Sequence, residues 1–295
     1  MKVTIEINDL PYEAKVALAK DERTSPELLA ALATDKDAQI RRLVAWHSST
    51  PSEVLGTLAN DGDSVVRRAV AENGNTFAKT LANLANDISE EVRIAVAENV
   101  NTPSHILTLL AEDKNAWVRQ SVASNPNTLP ETLESLAEDT MPFVREVVVQ
   151  NGNAPIKLLA MLSQDKHWLV REAVAKNENT PKEALAVLAK DDVYEVRTAV
   201  AANRNTSADT LAILAKDEDI DVREAVATNR NTSADVFTML AKDEHEGVRQ
   251  YVAMNTNTPA ELLSELAKDE ELCVSQKAKE ALRERKGKEK NNIER

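Results

Sequence analysis

An arginine recurs at a fixed interval along most of this chain. Arg41, Arg67, Arg93, Arg119, Arg145, Arg171, Arg197, Arg223 and Arg249 follow one another at a single constant spacing, and no insertion breaks the register. Lys15 lies one step before the series and Ser275 one step after it, so the pattern persists, degraded, to both ends. Such a period obliges the chain to repeat one small supersecondary unit, because each copy must offer its neighbours the surfaces it takes from them. A length of 295 residues would otherwise suggest two compact domains. The period replaces that expectation with one elongated stack of about ten layers.

Other columns share the register. Six residues before each basic position stands an aspartate, from Asp9 and Asp35 to Asp243, with Asp269 ahead of Ser275. Leucines recur from Leu32 to Leu266, and a second leucine column runs three residues earlier from Leu29 to Leu263, broken only by Phe237. Valine recurs from Val44 to Val252, and asparagines from Asn73 to Asn255 and from Asn75 to Asn257. A threonine follows the second asparagine from Thr76 to Thr258, except at Ala154. The unit therefore reads V-R-x-x-V-A-x-N-x-N-T-x-x-x-x-L-x-x-L-A-x-D, followed by four variable residues.

Each part has a physical reading. In T-P-x-x-x-L-x-x-L-A the threonine is expected as an N-cap. Pro51, Pro103, Pro155, Pro181 and Pro259 are then expected at the first helical position, where the missing N–H costs nothing. Leucines three apart share one helical face. V-R-x-x-V-A places apolar residues on one face of a second, shorter helix, and N-x-N is expected to end it through the left-handed conformation that asparagine tolerates. The aspartate is placed to cap or brace the next helix. Neither helix is long enough to fold alone, so stacking must bury both apolar stripes.

Composition agrees with an all-α chain: 42% hydrophobic residues but 3% aromatic, with six glycines and ten prolines, is a poor fit to a β-sandwich. The 49 acidic against 36 basic residues give a net charge of −13, which argues against a surface that wraps nucleic acid or lies on anionic lipid. Cys273 is the only cysteine, which excludes an intramolecular disulfide framework and fits a reducing compartment. With no apolar leader and no run long enough for a membrane span, a cytoplasmic protein is expected.

The unit VREAVAKNENTPKEALAVLAKD (170–191) resembles the leucine-rich repeat variant family, over about residues 9–270. The resemblance implies a regular α-helix paired with a short or partly 3-10 second helix, in a right-handed α-solenoid of about ten tandem 26-residue repeats without strands. The segment D-x-x-x-x-V-R is also similar to HEAT-like repeats, whose aspartate and arginine form a ladder between successive units. Some members of the variant family carry an iron–sulfur cluster domain built on several cysteines; this chain has one, and no cluster or other cofactor is expected. The domain reading is a cap at 1–8, one elongated repeat domain at 9–274, and a capping helix with a charged tail at 275–295.

The arginine column invites a reading as a track for phosphates. The aspartate column answers it, since each guanidinium has a carboxylate at fixed spacing, in the same unit or the adjacent one. Enzyme signatures are absent: the four histidines form no H-E-x-x-H pair, and there is no G-x-x-x-x-G-K-[ST], G-x-G-x-x-G or G-x-S-x-G. The run from Asp217 to Asp221 imitates a calcium loop at three alternate positions and then lacks its glycine and terminal glutamate, so it reads as a solvated loop.

Function in a solenoid belongs where the columns vary. Between the aspartate and Val-Arg, successive units carry Trp117, Phe143, Trp168 and Tyr194, expected along one loop edge as interface anchors. On the exposed side of the second helix, expected to be concave by analogy with HEAT-like solenoids, Arg42, Trp46 and Arg68 combine basic and aromatic groups for an anion or a peptide. The leading expectation is a noncatalytic scaffold for a protein or peptide partner. The alternative is a HEAT-like nucleic-acid-binding or DNA-repair-type protein, which the acidic balance disfavours.

Overall fold

The computed structural model describes residues 7–293, with side chains described for 7 and 9–286. The chain divides into two compact units, Met1–Ala154 and Pro155–Arg295, built on the same plan. Among the described residues the elements are a 3-10 turn at Ile7–Asp9 and twenty-one α-helices, with no strand. From Pro26 to Leu266, helices of seven residues carrying the leucines alternate with helices of nine carrying Val-Arg, as in Ser52–Leu58 followed by Ser64–Glu72. Each unit is thus an α-solenoid. The cap expected at 1–8 lies outside the described residues except for the start of the 3-10 turn. At the other end, Leu272–Ile293 is a single 22-residue helix packed on Glu246–Met254 and Ala260–Leu266.

Helix boundaries depart from expectation in three places. The Val-Arg helix is short but regular α, and it is the longer of the pair rather than the shorter. It gains length because the variable tetrad is not a loop. The tetrad's second residue is the N-cap and its last two form the first turn, as when Asp63 Oδ1 accepts the Val65 N–H at 2.8 Å. The prolines Pro51, Pro103, Pro155, Pro181 and Pro259 are N-caps, one position earlier than expected.

The threonine before the N-cap turns backward: Thr76 Oγ1 donates to Val70 O at 2.6 Å, a second bond to a carbonyl in the last turn of the preceding helix that also accepts the Asn73 N–H at 3.2 Å. Asparagine also leaves the helix by another route. Asn73 has φ −75° and ψ 126°, and no described non-glycine residue has positive φ.

The asparagines instead bridge repeats. Asn73 Nδ2 donates to Ala45 O and His47 O in the preceding repeat at 2.8 and 3.0 Å, while its Oδ1 accepts the Asn75 N–H at 2.8 Å. Asn75 Nδ2 then reaches Ser48 O at 2.5 Å. The same bonds recur at Asn99 and Asn125, and in the second unit at Asn203, Asn229 and Asn255. His47 stands one repeat before Asn73 and reproduces the pattern with an imidazole: Nδ1 accepts the Ser49 N–H and Nε2 donates to Asp21 O, both at 3.0 Å.

The other end of the Val-Arg helix carries the arginine rung. Arg67 sends Nε and Nη2 to the two carboxylate oxygens of Asp87 in the next repeat, at 2.5 and 2.8 Å, and Nη1 to the carbonyl of Asp61 in its own, at 2.9 Å. One guanidinium therefore touches both of the positions the sequence left open. Asp87 Oδ1 also accepts the Ser89 N–H. Equivalent rungs join Arg41, Arg93 and Arg119 to Asp61, Asp113 and Asp139 in the first unit, and Arg171, Arg197, Arg223 and Arg249 to Asp191, Asp217, Asp243 and Asp269 in the second. At the first position Lys15 Nζ meets Asp35 at 2.7 Å.

Between the two polar ladders lies a dry core. Leu55, Val66, Val70, Ala71 and Leu81 have no exposure, and the pattern repeats through each unit. Phe237, the one break in its leucine column, is also fully buried. Successive Val-Arg helices pack directly on one another, while leucine helices pack mainly on the Val-Arg helices beside them.

Burial pushes the Asp87, Asp113, Asp139, Asp191, Asp217 and Asp243 carboxyls up, but the arginine bonds and a backbone N–H outweigh it and hold them below the usual carboxylate range. For Asp61 the Arg41 bond is itself the largest influence. A carboxyl depressed on folding stabilises the fold above its unfolded pKa of about 3.9 and loses that contribution as pH falls through the folded value. The ladder's contribution should therefore be constant from about pH 5 to 8 and decline below about pH 4 in thermal melts.

Arg119→Met should cost about 2–3 kcal/mol at neutral pH by stranding the Asp139 carboxylate. The deficit should shrink on acidification as that carboxyl takes a proton. His47→Asn should leave the melt within about 0.5 kcal/mol of wild type, whereas His47→Ala should lose about 1–2 kcal/mol.

Candidate functional site

The recurring polar side chains are occupied between repeats, and variable side chains on the solvent side of the Val-Arg helices line two grooves. Residues one and five places after each arginine point outward because the core takes the intervening valine and alanine positions. In the first unit this brings Arg42, Trp46 and Arg68 together, as their spacing predicts. They line a groove of about 310 Å³ with Leu43, Val65 and Glu72. Trp46 is 69% exposed on one wall. Arg68 Nε bonds Glu72 at 2.7 Å and Arg42 Nε bonds Gln39 at 3.1 Å, so each guanidinium is tied to a residue on its own helix.

The four aromatics expected on a loop edge occupy first turns of Val-Arg helices instead: Trp117 in Ala116–Ser124, Phe143 in Pro142–Gln150, Trp168 in Trp168–Lys176 and Tyr194 in Tyr194–Ala202. In the first unit Trp117 and Phe143 stack, with ring centroids 4.9 Å apart and planes at 21°. That pair leaves Trp117 57% exposed. In the second unit Trp168 lies alongside its neighbour His167 at 6.4 Å.

Tyr194 belongs to a larger groove of about 560 Å³ on the second unit's Val-Arg helices. Glu172 and Glu178 on its wall are paired with Lys176 at 2.7 Å and Arg204 at 3.7 Å. Glu195 and Asp221, from adjacent repeats, form no ion pair among the described residues and set a negative field beside the phenol. The charge of Glu195 holds the Tyr194 hydroxyl above its usual range, with burial, a hydrogen bond to that carboxylate and the fields of Asp221 and Asp219 adding to it.

The two carboxylates escape a reading that looks for aromatic and basic groups. Their signal is recurrence exactly one repeat apart within one variable column. The acidic run also proves more ordered than a solvated loop, since Asp217 grips Arg197, Asp219 caps a helix and Asp221 lies in its first turn.

No group of three or more histidine, cysteine, aspartate or glutamate side chains among the described residues is placed to hold a metal. Cys273 is half-buried and free. No helix of the described residues is long and apolar enough to cross a membrane.

Helix pairs laddered by aspartate and arginine, with grooves on the Val-Arg side, define an α-solenoid repeat protein. The leucine-rich repeat variant model matches residues 194–219, a single repeat length. A solved structure described as a leucine-rich repeat variant with a novel repetitive structural motif is 30% identical, with 71% of this chain and 84% of that chain covered and a TM-score of 0.58. The chain belongs to the leucine-rich repeat variant family. More distant likenesses, both 14% identical, include a chain in a homology model of the full-length AP-3 complex (TM-score 0.48, 91% of this chain and 53% of that one). The second is a chain from a Pds5–Scc1 complex (TM-score 0.37, 92% and 56%). No curated protein matches the sequence.

The groove's negative field is measurable directly. Tyr194 should titrate above the ordinary value of about 10, and Glu195→Gln should bring it down towards that value in a tyrosine-selective NMR titration.

Proposed function

We propose that the chain is a noncatalytic scaffold that binds a protein or peptide partner through the solvent side of its Val-Arg helices. The observation that carries this reading is the separation of roles along each repeat. Arginine, aspartate and asparagine columns are taken up between repeats, while variable neighbours collect into a basic–aromatic groove in one unit and an acidic–aromatic groove in the other. Aromatic side chains with charged rims are the usual anchors of protein interfaces. Arg42, Trp46 and Arg68, with Trp117, Phe143, Trp168 and Tyr194, are the anchors assigned to this role.

The rungs described in each unit argue against nucleic acid as the ligand. Their guanidinium groups already hold a carboxylate and a carbonyl and offer no row of free cations to phosphates. A gel shift with single- or double-stranded nucleic acid is expected to show no complex even at low salt, where counterion release favours binding most.

Affinity capture from the native cell should recover a partner whose yield falls at least about tenfold with Trp46→Ala/Arg68→Glu or with Tyr194→Ala/Glu195→Lys. Equal recovery by both variants, with unchanged melting curves, would remove the Val-Arg side from the account.

A further inference from the structure

Four of the second unit's five leucine helices carry a surface that the repeat itself does not require; the fifth, Ala260–Leu266, has Glu265 in the corresponding place. In Ile156–Leu162, Lys182–Leu188, Ala208–Leu214 and Ala234–Leu240, the residue before the second core leucine is Met161, Val187, Ile213 and Met239. Met161, Val187 and Ile213 are 45, 52 and 57% exposed, and Met239 is half-buried. These residues recur once per repeat and form an apolar row at the penultimate position of the helices.

Around Val187, Ile213 and Met239, four residues towards the N-terminus lie Glu183, Asp209 and Asp235, and three residues towards the C-terminus lie Lys190, Lys216 and Lys242. All six are exposed and none makes an ion pair among the described residues. The face is a carboxylate row, an apolar row and an ammonium row, side by side.

Helix dipoles favour acid at the N-terminus and lysine at the C-terminus, and that accounts for the signs of the outer rows. It does not account for the apolar row between them. Nor does the fold need the combination. At the equivalent positions the first unit has Thr57, Asn83, Leu109 and Ser135 in the middle row and Asn60, Asn86, Glu112 and Glu138 in place of lysine, on the same helix pairs.

We propose that this face is an interface between two copies of the chain, related by a two-fold axis parallel to the direction in which the second unit's repeats advance. The charge pattern singles out that operation. Rotation about such an axis keeps the repeats in register and exchanges the outer rows, so Lys190, Lys216 and Lys242 meet Glu183, Asp209 and Asp235 of the second copy. Met161, Val187, Ile213 and Met239 meet their own counterparts. Rotation about the perpendicular in-plane axis would oppose like charges, and a flat anionic lipid surface would be repelled by the carboxylate row. An isologous contact of this kind is self-complementary, as a two-fold interface must be, and it covers an apolar strip that water otherwise faces.

The test uses the full chain in sedimentation equilibrium over micromolar to millimolar concentrations. Wild type should show a monomer–dimer equilibrium, and Ile213→Asp should weaken the dimer at least about tenfold. All three lysines changed to glutamate should give a chain that does not self-associate, as should all three carboxylates changed to lysine. An equimolar mixture of these two variants should restore a dimer.

All the substitutions are at exposed positions, and matching thermal melts confirm that each variant is folded. A wild type that stays monomeric throughout overturns the proposal, as does a dimer indifferent to Ile213→Asp. So does a mixture that fails to associate, or a monomer that sediments with anionic vesicles through its lysine row.

Discussion

The guanidinium that reads two repeats at once is the interaction on which the stack depends. Arg67 Nη1 measures the position of its own repeat through the Asp61 carbonyl, while Nε and Nη2 measure the next repeat through the Asp87 carboxylate. Because the fork is planar and rigid, satisfying both ends leaves little freedom in the angle or distance between repeats. A buried ion pair contributes little net stability compared with well-packed apolar groups, but breaking one half is costly. A register slip of even one residue would strand a guanidinium and a carboxylate in a layer largely withdrawn from water. That asymmetry is a physical reason for a period that runs from Arg41 to Arg249 without a single insertion, where leucine and valine alone would tolerate sliding.

The rung clamps one end of the Val-Arg helix, and the asparagine pair clamps the other. Asn99 Nδ2 enters the preceding repeat at Ala71 O and Asn73 O while its Oδ1 closes the turn on Asn101. Both ends of these helices are held by side chains reaching neighbouring repeats, and both ladders hydrogen-bond polar groups that stacking takes partly out of water. Among the described residues the leucine helices have no recurring ladder, only isolated bonds such as Thr108 Oγ1 with Thr132 Oγ1 at 2.8 Å. They hold by apolar burial on one side, so their solvent columns vary without disturbing the register. This is why a surface as specific as the row through Val187 and Ile213 arises on the leucine side of one unit without any change in fold.

Much of this architecture is legible in the sequence because the period aligns ten noisy copies into columns, and chemistry that is ambiguous once is clear when repeated. The leucine and valine columns identify the core, and helical spacing puts Arg42, Trp46 and Arg68 along one groove. What the columns do not carry is direction. Threonine before proline reads locally as an N-cap, yet Thr76 is more useful bonding the buried Val70 carbonyl, and the cap moves one residue on. Asparagine at a helix end suggests the left-handed exit, yet its amide is needed by the previous repeat, which an extended backbone permits. The tetrad residues look like a loop because they vary, although the N-cap Asn115 already places Trp117 in a helix. His47 shows the opposite case: it occupies the asparagine column one repeat before Asn73, and that position alone is a signal for an amide surrogate.

The net charge of −13 acquires a different meaning once the rungs are in place. Each rung joins one positive to one negative group and contributes nothing to the total, so the imbalance is carried entirely by residues outside the ladder. Those residues set the charge of the solvent-facing surface. The unpaired carboxylates of Glu195 and Asp221 are part of that excess, and the raised Tyr194 hydroxyl reports their field. A repeat protein whose stabilising charges are internally neutral can alter the sign of its surface repeat by repeat at little cost to the stack. The contrast between a groove with Arg42 and Arg68 and one with Glu195 and Asp221 is what that freedom permits.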